Sequence, residues 1–116
     1  MASLALKTSS GEILGFLLIE EIGPLKHDQK GRCMFMGLPV PGSLAKEPLF
    51  VLVQQFRQKP MTYAVAEAGP GFTVAVGLPD GSTATLELNG DGQGTLVIKR
   101  DTGAPITGHC ELSKTA

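Results

Sequence analysis

The chain has 116 residues, two cysteines and a formal net charge of −1 at pH 7. This length predicts a single domain (1–116) that can bury its own core without metal or disulfide staples. The small net charge, the absence of tryptophan and the presence of only one tyrosine argue against nucleic acid as a partner, because such binding needs clustered positive charge and stacking side chains.

The beginning of the sequence predicts a cytoplasmic protein. Residues 1–12, MASLALKTSSGE, have neither the basic start nor the sustained apolar run of a signal peptide. The longest apolar stretch, residues 13–19, is too short to cross a bilayer as a helix, so we expect no membrane partner. Cys33 and Cys110 fit reduced thiols in this compartment, with a disulfide between them left open.

The first two elements are predicted to form a hairpin of residues 3–7 with residues 12–20. The second strand, ILGFLLI, is apolar on both faces: alternation places Ile13, Leu17 and Ile19 on one face and Leu14, Phe16 and Leu18 on the other. A strand that is covered on one side alternates apolar and polar residues. We therefore expect a second cover over residues 13–19, supplied by a helix, a neighbouring layer or another subunit. The last of these would be a homo-oligomer that pairs through this segment.

The middle of the chain contains a predicted third strand at residues 31–37 and an ambiguous segment at residues 44–58. As a helix, the segment would begin near Pro48 and place Leu49, Leu52, Val53 and Phe56 on one face. As a strand, residues 49–56 have suitable composition, and Pro48 would mark the start. The β-rich surroundings favour the strand, and one helix is the alternative.

From residue 61 onward the sequence predicts five consecutive strands, 61–67, 71–77, 82–89, 94–100 and 105–113. The linkers between them contain the glycine, proline or aspartate that tight turns require. The fold class is therefore mainly β, an antiparallel meander that forms a small barrel or strongly curved sheet of about seven or eight strands.

Period-two alternation in these strands assigns the core. The predicted inward positions are Phe72, Val74, Val76, Ala84, Leu86, Leu88, Leu96 and Ile98, and the predicted outward positions are Thr73, Thr83, Thr85, Glu87, Thr95 and Lys99. In the strand at 61–67, Tyr63 and Val65 share one face, and Ala64 and Ala66 share the other. Small residues on a face leave room for a closely packed neighbour or for a ligand, and packing is the commoner explanation.

The sequence predicts no catalytic residues, no metal site and no cofactor. His109 and Cys110 are adjacent on a strand and point to opposite faces, so they cannot form a nucleophile–base pair. Neither histidine nor cysteine occurs at a zinc spacing. Residues 89–94, NGDGQG, resemble part of a calcium loop but lack the glutamate at the twelfth position, and a hairpin turn explains them.

Three functions follow as hypotheses. The first is a non-catalytic protein that binds a small hydrophobic molecule in the barrel or curved-sheet interior, because ligand pockets are mainly apolar. The residues predicted to line that site are Met34, Phe35, Met36, Tyr63, Val65 and Glu67. The second is a homo-oligomeric interaction module that associates through residues 13–19. The third is a small proton-transfer enzyme, of an isomerase or cyclase type, that uses Glu67, Tyr63 or a histidine.

Overall fold

Each strand pairs with its neighbour in chain order until the sheet closes on itself. In the computed structural model, which describes residues 2–20 and 26–113, the first strand pairs with both the second and the last. The strands are β1 (Ala2–Lys7), β2 (Ile13–Ile19), β3 (Lys30–Gly37), β4 (Met61–Ala68), β5 (Gly71–Gly77), β6 (Thr83–Leu88), β7 (Gln93–Lys99) and β8 (Ile106–Ser113). The mainly β prediction is confirmed as a closed antiparallel barrel. Part of the predicted connection before β3, residues 21–25, lies outside the described residues.

The described residues place one cluster of buried apolar side chains in the barrel interior. The largest side chains with almost no exposure are Leu4, Leu6, Leu14, Leu17, Ile19, Val53, Val74, Val76, Leu86, Leu96 and Ile98. The predicted inward positions of β5, β6 and β7 are buried, apart from Phe72, which is half-buried against this core. The threonines of these strands lie outside, as the alternation predicts.

A β-bulge corrects the face assignment at the start of β2. Leu6 pairs with Gly15 and Lys7 pairs with Ile13, so Leu14 is the extra residue on its strand. Such a bulge shifts the alternation by one position. Leu14 is therefore fully buried, whereas Ile13 is 42% exposed, the reverse of the simple period-two assignment.

The strand predicted over residues 49–56 is wrong, and the helix alternative is correct. Helix α1 spans Pro48–Gln55, with proline in its first turn and Glu47 in extended conformation before it. Leu49, Leu52 and Val53 are buried, and Val51 is 51% exposed. This spacing fits one helical face and conflicts with strict alternation.

Helix α1 closes one end of the barrel. A Cβ atom added to Gly15 of β2 would lie 3.2 Å from Cγ1 of Val53, and one added to Gly108 of β8 would lie 3.1 Å from Cδ2 of Leu49. Both glycines occupy inward positions, because Gly15 pairs with Leu6 and Gly108 alternates with buried Cys110. The helix therefore packs its apolar face into the barrel end, and glycines make room for it.

The helical face predicts a contrast between neighbouring substitutions in α1. Leu52→Ala is expected to lower the free energy of unfolding by about 2–5 kcal/mol, because it removes a buried side chain from a packed end. Val51→Ala changes an exposed position and is expected to stay within about 0.5 kcal/mol. Urea unfolding of the two variants measures the difference, and similar losses for both would contradict the helical packing.

Candidate interaction surface

An apolar surface covers part of the outside of β2 and β3. Leu17 and Ile19 point inward, so Phe16 and Leu18 point outward. Phe16 pairs directly with Met36, and Leu18 pairs directly with Met34. These four side chains form a two-by-two block on neighbouring strands, and with Ile13 they are named here the outer apolar surface.

The outer apolar surface is substantially open to solvent. Ile13, Met34 and Met36 are 42%, 41% and 42% exposed, and Phe16 and Leu18 are half-buried. Helix α1 packs on the opposite side of the sheet, since the inward position of Gly15 faces Val53. Leu14 is fully buried and lines the same concavity as the N-terminal turn of the helix, whereas the outward side chains of β2 lie on the other side of the sheet.

Charged side chains of both signs flank this surface. Where β2 ends, the Arg32 Nε atom of β3 lies 3.3 Å from the Glu20 carboxylate, and both side chains are largely exposed. Across β1, the Lys7 ammonium lies 2.5 Å from the Glu111 carboxylate. The flanking pairs sum to zero charge, so they do not favour a partner of one strong sign.

The structure does not bring the six predicted ligand-site residues into one place. Phe35, Tyr63 and Val65 are buried in the barrel interior, Met34 and Met36 lie on the outer apolar surface, and Glu67 is exposed near the end of β4. The first three belong to the packed core. Alternation along β3 accounts for the separation, because Phe35 points opposite to its two methionine neighbours.

Tyr63 forms hydrogen bonds to the last residue after β2 that the structure describes before residue 21, Glu20, and to Gln29 just before β3. Its hydroxyl donates to the carbonyl oxygen of Glu20 at 3.1 Å and accepts from Nε2 of Gln29 at 2.9 Å. The Val65 carbonyl accepts from the backbone N–H of Asp28 at 2.9 Å, which holds residues 28–29 beside β4. These bonds give the buried hydroxyl a structural role.

Glu67 contacts the segment before β3 through its backbone rather than through its carboxylate. Its N–H donates to Nδ1 of His27 at 3.1 Å, while its side chain is exposed. A proton-transfer site needs a carboxyl group beside the reacting atoms, usually in a partly desolvated pocket. The exposed side chain removes the main observation behind the enzyme hypothesis.

Both cysteines are buried free thiols on the inside of the barrel. Burial raises the pKa of Cys33 to about 11 and that of Cys110 to about 12. The Cys110 thiol donates to the carbonyl oxygen of Thr95 at 3.6 Å. A thiol is nucleophilic as the thiolate, so at neutral pH these side chains behave as small apolar core residues.

Within the glycine-rich segment at residues 89–94, residues 89–92 form the turn between β6 and β7, and residues 93–94 begin β7. Oδ1 of Asn89 accepts from the backbone N–H groups of Asp91 and Gln93, at 3.2 and 3.1 Å. The turn therefore uses the side-chain oxygen that a calcium ion would need. Within residues 2–20 and 26–113, no three histidine, cysteine, aspartate or glutamate residues are grouped to hold a metal ion.

A shallow depression of about 560 Å³ lies on the surface of the barrel, across β3, β4, β5 and the start of β6. Its lining is formed by Lys30, Gly31, Thr62, Tyr63, Ala64, Ala75, Val76, Gly77 and Thr83. The predicted small-residue face of β4 thus lies over this depression, with Ala64 paired to Ala75.

Fold and surface together define a small closed barrel with a packed interior and an apolar patch outside. Comparison of the chain with family models, with curated proteins and with solved structures finds no match. No helix in the described ranges is long and apolar enough to span a membrane.

Sequence reasoning identified part of this surface and missed the rest. The two-sided apolar pattern of residues 13–19 predicted that Phe16 and Leu18 lie on a second apolar face of this strand that needs cover. Their pairing with Met36 and Met34, and the ion pair of Glu20 with Arg32, depend on the register between β2 and β3. Alternation of Met34 and Met36 about Phe35 was the available signal, since it leaves one methionine-rich face.

Proposed function

We propose that this protein is a non-catalytic interaction module that forms a homodimer through the outer apolar surface. The observation that carries the proposal is the block of four outward apolar side chains on β2 and β3, with both methionines more than 40% exposed. Contiguous exposed apolar side chains of this kind mark association sites on soluble proteins.

A second copy of the chain is the partner that the flanking charges favour. A two-fold interface brings the same patch of each subunit together and must therefore be self-complementary. Glu20 and Arg32 provide one charge of each sign beside the apolar block, so a two-fold arrangement can place each opposite its complement. An interface of standard size needs about 800 Å² per partner, roughly an eighth of the 6614 Å² surface of this chain.

Binding of a small apolar molecule is the second candidate. A ligand inside the barrel would have to displace the buried core side chains, so a binding site on the outside of the barrel is favoured. The observation that supports ligand binding is the depression of about 560 Å³ beside Tyr63 and Ala64, on the outside of the barrel. It is lined mainly by small residues, and its volume lies within the range typical of ligand sites.

Native mass spectrometry of the purified protein separates the two candidates. A dimer whose mass equals two chains supports the interaction module. A mass increase of a few hundred daltons per chain supports the ligand and gives its mass. A monomer at micromolar concentration without added mass would remove the support for the dimer, and sedimentation velocity provides an independent measurement.

Leu18→Lys is expected to weaken the dimer by about 30-fold or more in Kd, because it places an ammonium group at the centre of the apolar block. The matched control is Thr85→Lys, which adds the same charge on the outside of β6, across the barrel from β2. Sedimentation velocity over a concentration series measures both Kd values. The same Kd for Leu18→Lys and wild type would count against this surface as the interface.

A further inference from the structure

We propose that Met34 and Met36 form an oxidation site, and that a peroxide-class oxidant dissociates the dimer by converting their thioethers to sulfoxides. The inference rests on the proposed function, because it concerns regulation of the same surface. Two methionine side chains at alternate positions of one strand face outward together, so both enter any contact made through the outer apolar surface.

The two outer methionines are far more accessible to a dissolved oxidant than the core sulfur atoms. Met34 and Met36 are 41% and 42% exposed, whereas Met61 is 4% exposed within the barrel. The thiols of Cys33 and Cys110 are 3% and 2% exposed. Since oxidation of sulfur follows exposure, peroxide is expected to reach the two outer thioethers first.

The reaction balances with hydrogen peroxide as the only co-reactant. A sulfur lone pair attacks one peroxide oxygen, a sulfur–oxygen bond forms and the oxygen–oxygen bond breaks. The departing hydroxide removes the proton from the oxygen that is now bound to sulfur, and it leaves as water. Each thioether loses two electrons to the peroxide and becomes a sulfoxide, a product that methionine sulfoxide reductases can reverse.

A sulfoxide at either position opposes burial of the surface. Met34 lies directly across from Leu18, and Met36 lies directly across from Phe16. In the dimer, the new polar oxygen would be held against these apolar side chains and would lose its water, which is unfavourable. In the monomer the same oxygen stays hydrated. Oxidation therefore shifts the equilibrium toward the monomer.

Dimerisation should in turn protect the methionines. Their sulfur atoms are covered in the dimer, so peroxide reacts with the dissociated fraction, and the oxidised chains remain monomeric. The rate of oxidation is therefore expected to fall as protein concentration rises above the Kd. This dependence links the accessibility of the sulfur atoms to the association itself.

The experiment treats the full chain with hydrogen peroxide, locates the added oxygen atoms by peptide mass spectrometry and measures Kd by sedimentation velocity. We expect oxygen at Met34 and Met36 before Met61, and a rise in Kd of tenfold or more that a methionine sulfoxide reductase reverses. Met34→Leu with Met36→Leu keeps the surface apolar and should dimerise without sensitivity to peroxide. Met34→Gln with Met36→Gln imitates the polar product and should dissociate without peroxide.

The variants distinguish failure of this inference from failure of the dimer. A wild-type Kd that stays constant after both outer methionines are oxidised would overturn the inference. Equal peroxide sensitivity in the leucine variant would also overturn it, since the relevant sulfur would then lie elsewhere. If the glutamine variant and Leu18→Lys both retain the wild-type oligomeric state, the proposed interface itself is wrong. If the glutamine variant dissociates and peroxide leaves Met34 and Met36 unmodified, the interface stands and the oxidation site does not.

Discussion

Gly94→Ala is expected to destabilise the barrel by about 3 kcal/mol or more, because the added methyl group would overlap the backbone of the neighbouring strand. The new Cβ atom would overlap the carbonyl oxygen of Glu87 and lie 2.6 Å from its carbonyl carbon. A backbone carbonyl cannot rotate away as a side chain can. Strands β6 and β7 would have to separate where Gly94 pairs with Leu88, and a closed barrel has no edge at which to absorb that separation.

Gly77→Ala is the matched control. Gly77 lies in β5, has no atom within 4 Å of an added Cβ and does not require a positive φ. Its substitution should leave stability unchanged or raise it by up to about 1 kcal/mol, since alanine restricts the unfolded chain. Denaturant unfolding measures both midpoints. A Gly94→Ala midpoint close to that of Gly77→Ala would show that the two strands are not held this closely.

The sequence was sufficient to predict the regular half of the barrel. From residue 61 onward, the strands are short, most of them alternate apolar and polar residues, and glycine-containing turns join them. These local signals agree with the fold that the strands form together. The observed turns place Gly69, Gly81, Gly92 and Gly103 at positive φ, a conformation for which glycine is the natural residue.

The errors arose where tertiary structure decides between two permitted local structures. The bulge at Leu14 depends on how β1 and β2 pair, and a single-strand pattern cannot reveal it. In residues 49–56, Leu49, Leu52 and Val53 are compatible with helix and with strand. The apolar face of the helix covers one end of the barrel. That end exists only once the eight strands have closed, so a local pattern does not reveal it.

The candidate site was predictable in part for the same reason. A strand that is apolar on both faces reveals that Phe16 and Leu18 need cover, but it does not identify what provides it. The separation of Phe35 from Met34 and Met36 follows from alternation. Whether the inward residues enclose a ligand depends on how completely the core fills the barrel, and that depends on the side chains of all eight strands and α1 together.

The buried thiols predict a loss of stability at alkaline pH. Burial raises the pKa of Cys33 to about 11 and that of Cys110 to about 12, from an ordinary value of 9.0. Above pH 9 the unfolded chain therefore releases these protons while the folded protein retains them, and the free energy of unfolding falls as pH rises. The expected decrease is about 1.4 kcal/mol per pH unit for each thiol, or about 4 kcal/mol for both by pH 10.5.

Comparison with Cys33→Ala, Cys110→Ala and the double variant isolates the contribution of the two thiols from every other effect of alkaline pH. Loss of the sulfur atoms from the core lowers the free energy of unfolding by an amount that is independent of pH. Loss of the titrating thiol instead changes the slope of the free energy of unfolding against pH. Urea unfolding between pH 8 and pH 10.5, with a phosphine reductant present, should show each single variant removing about half of the excess slope and the double variant removing all of it. A double variant with the wild-type slope would mean that the thiols are hydrated in the folded barrel, and that its interior is less tightly packed than the buried side chains indicate.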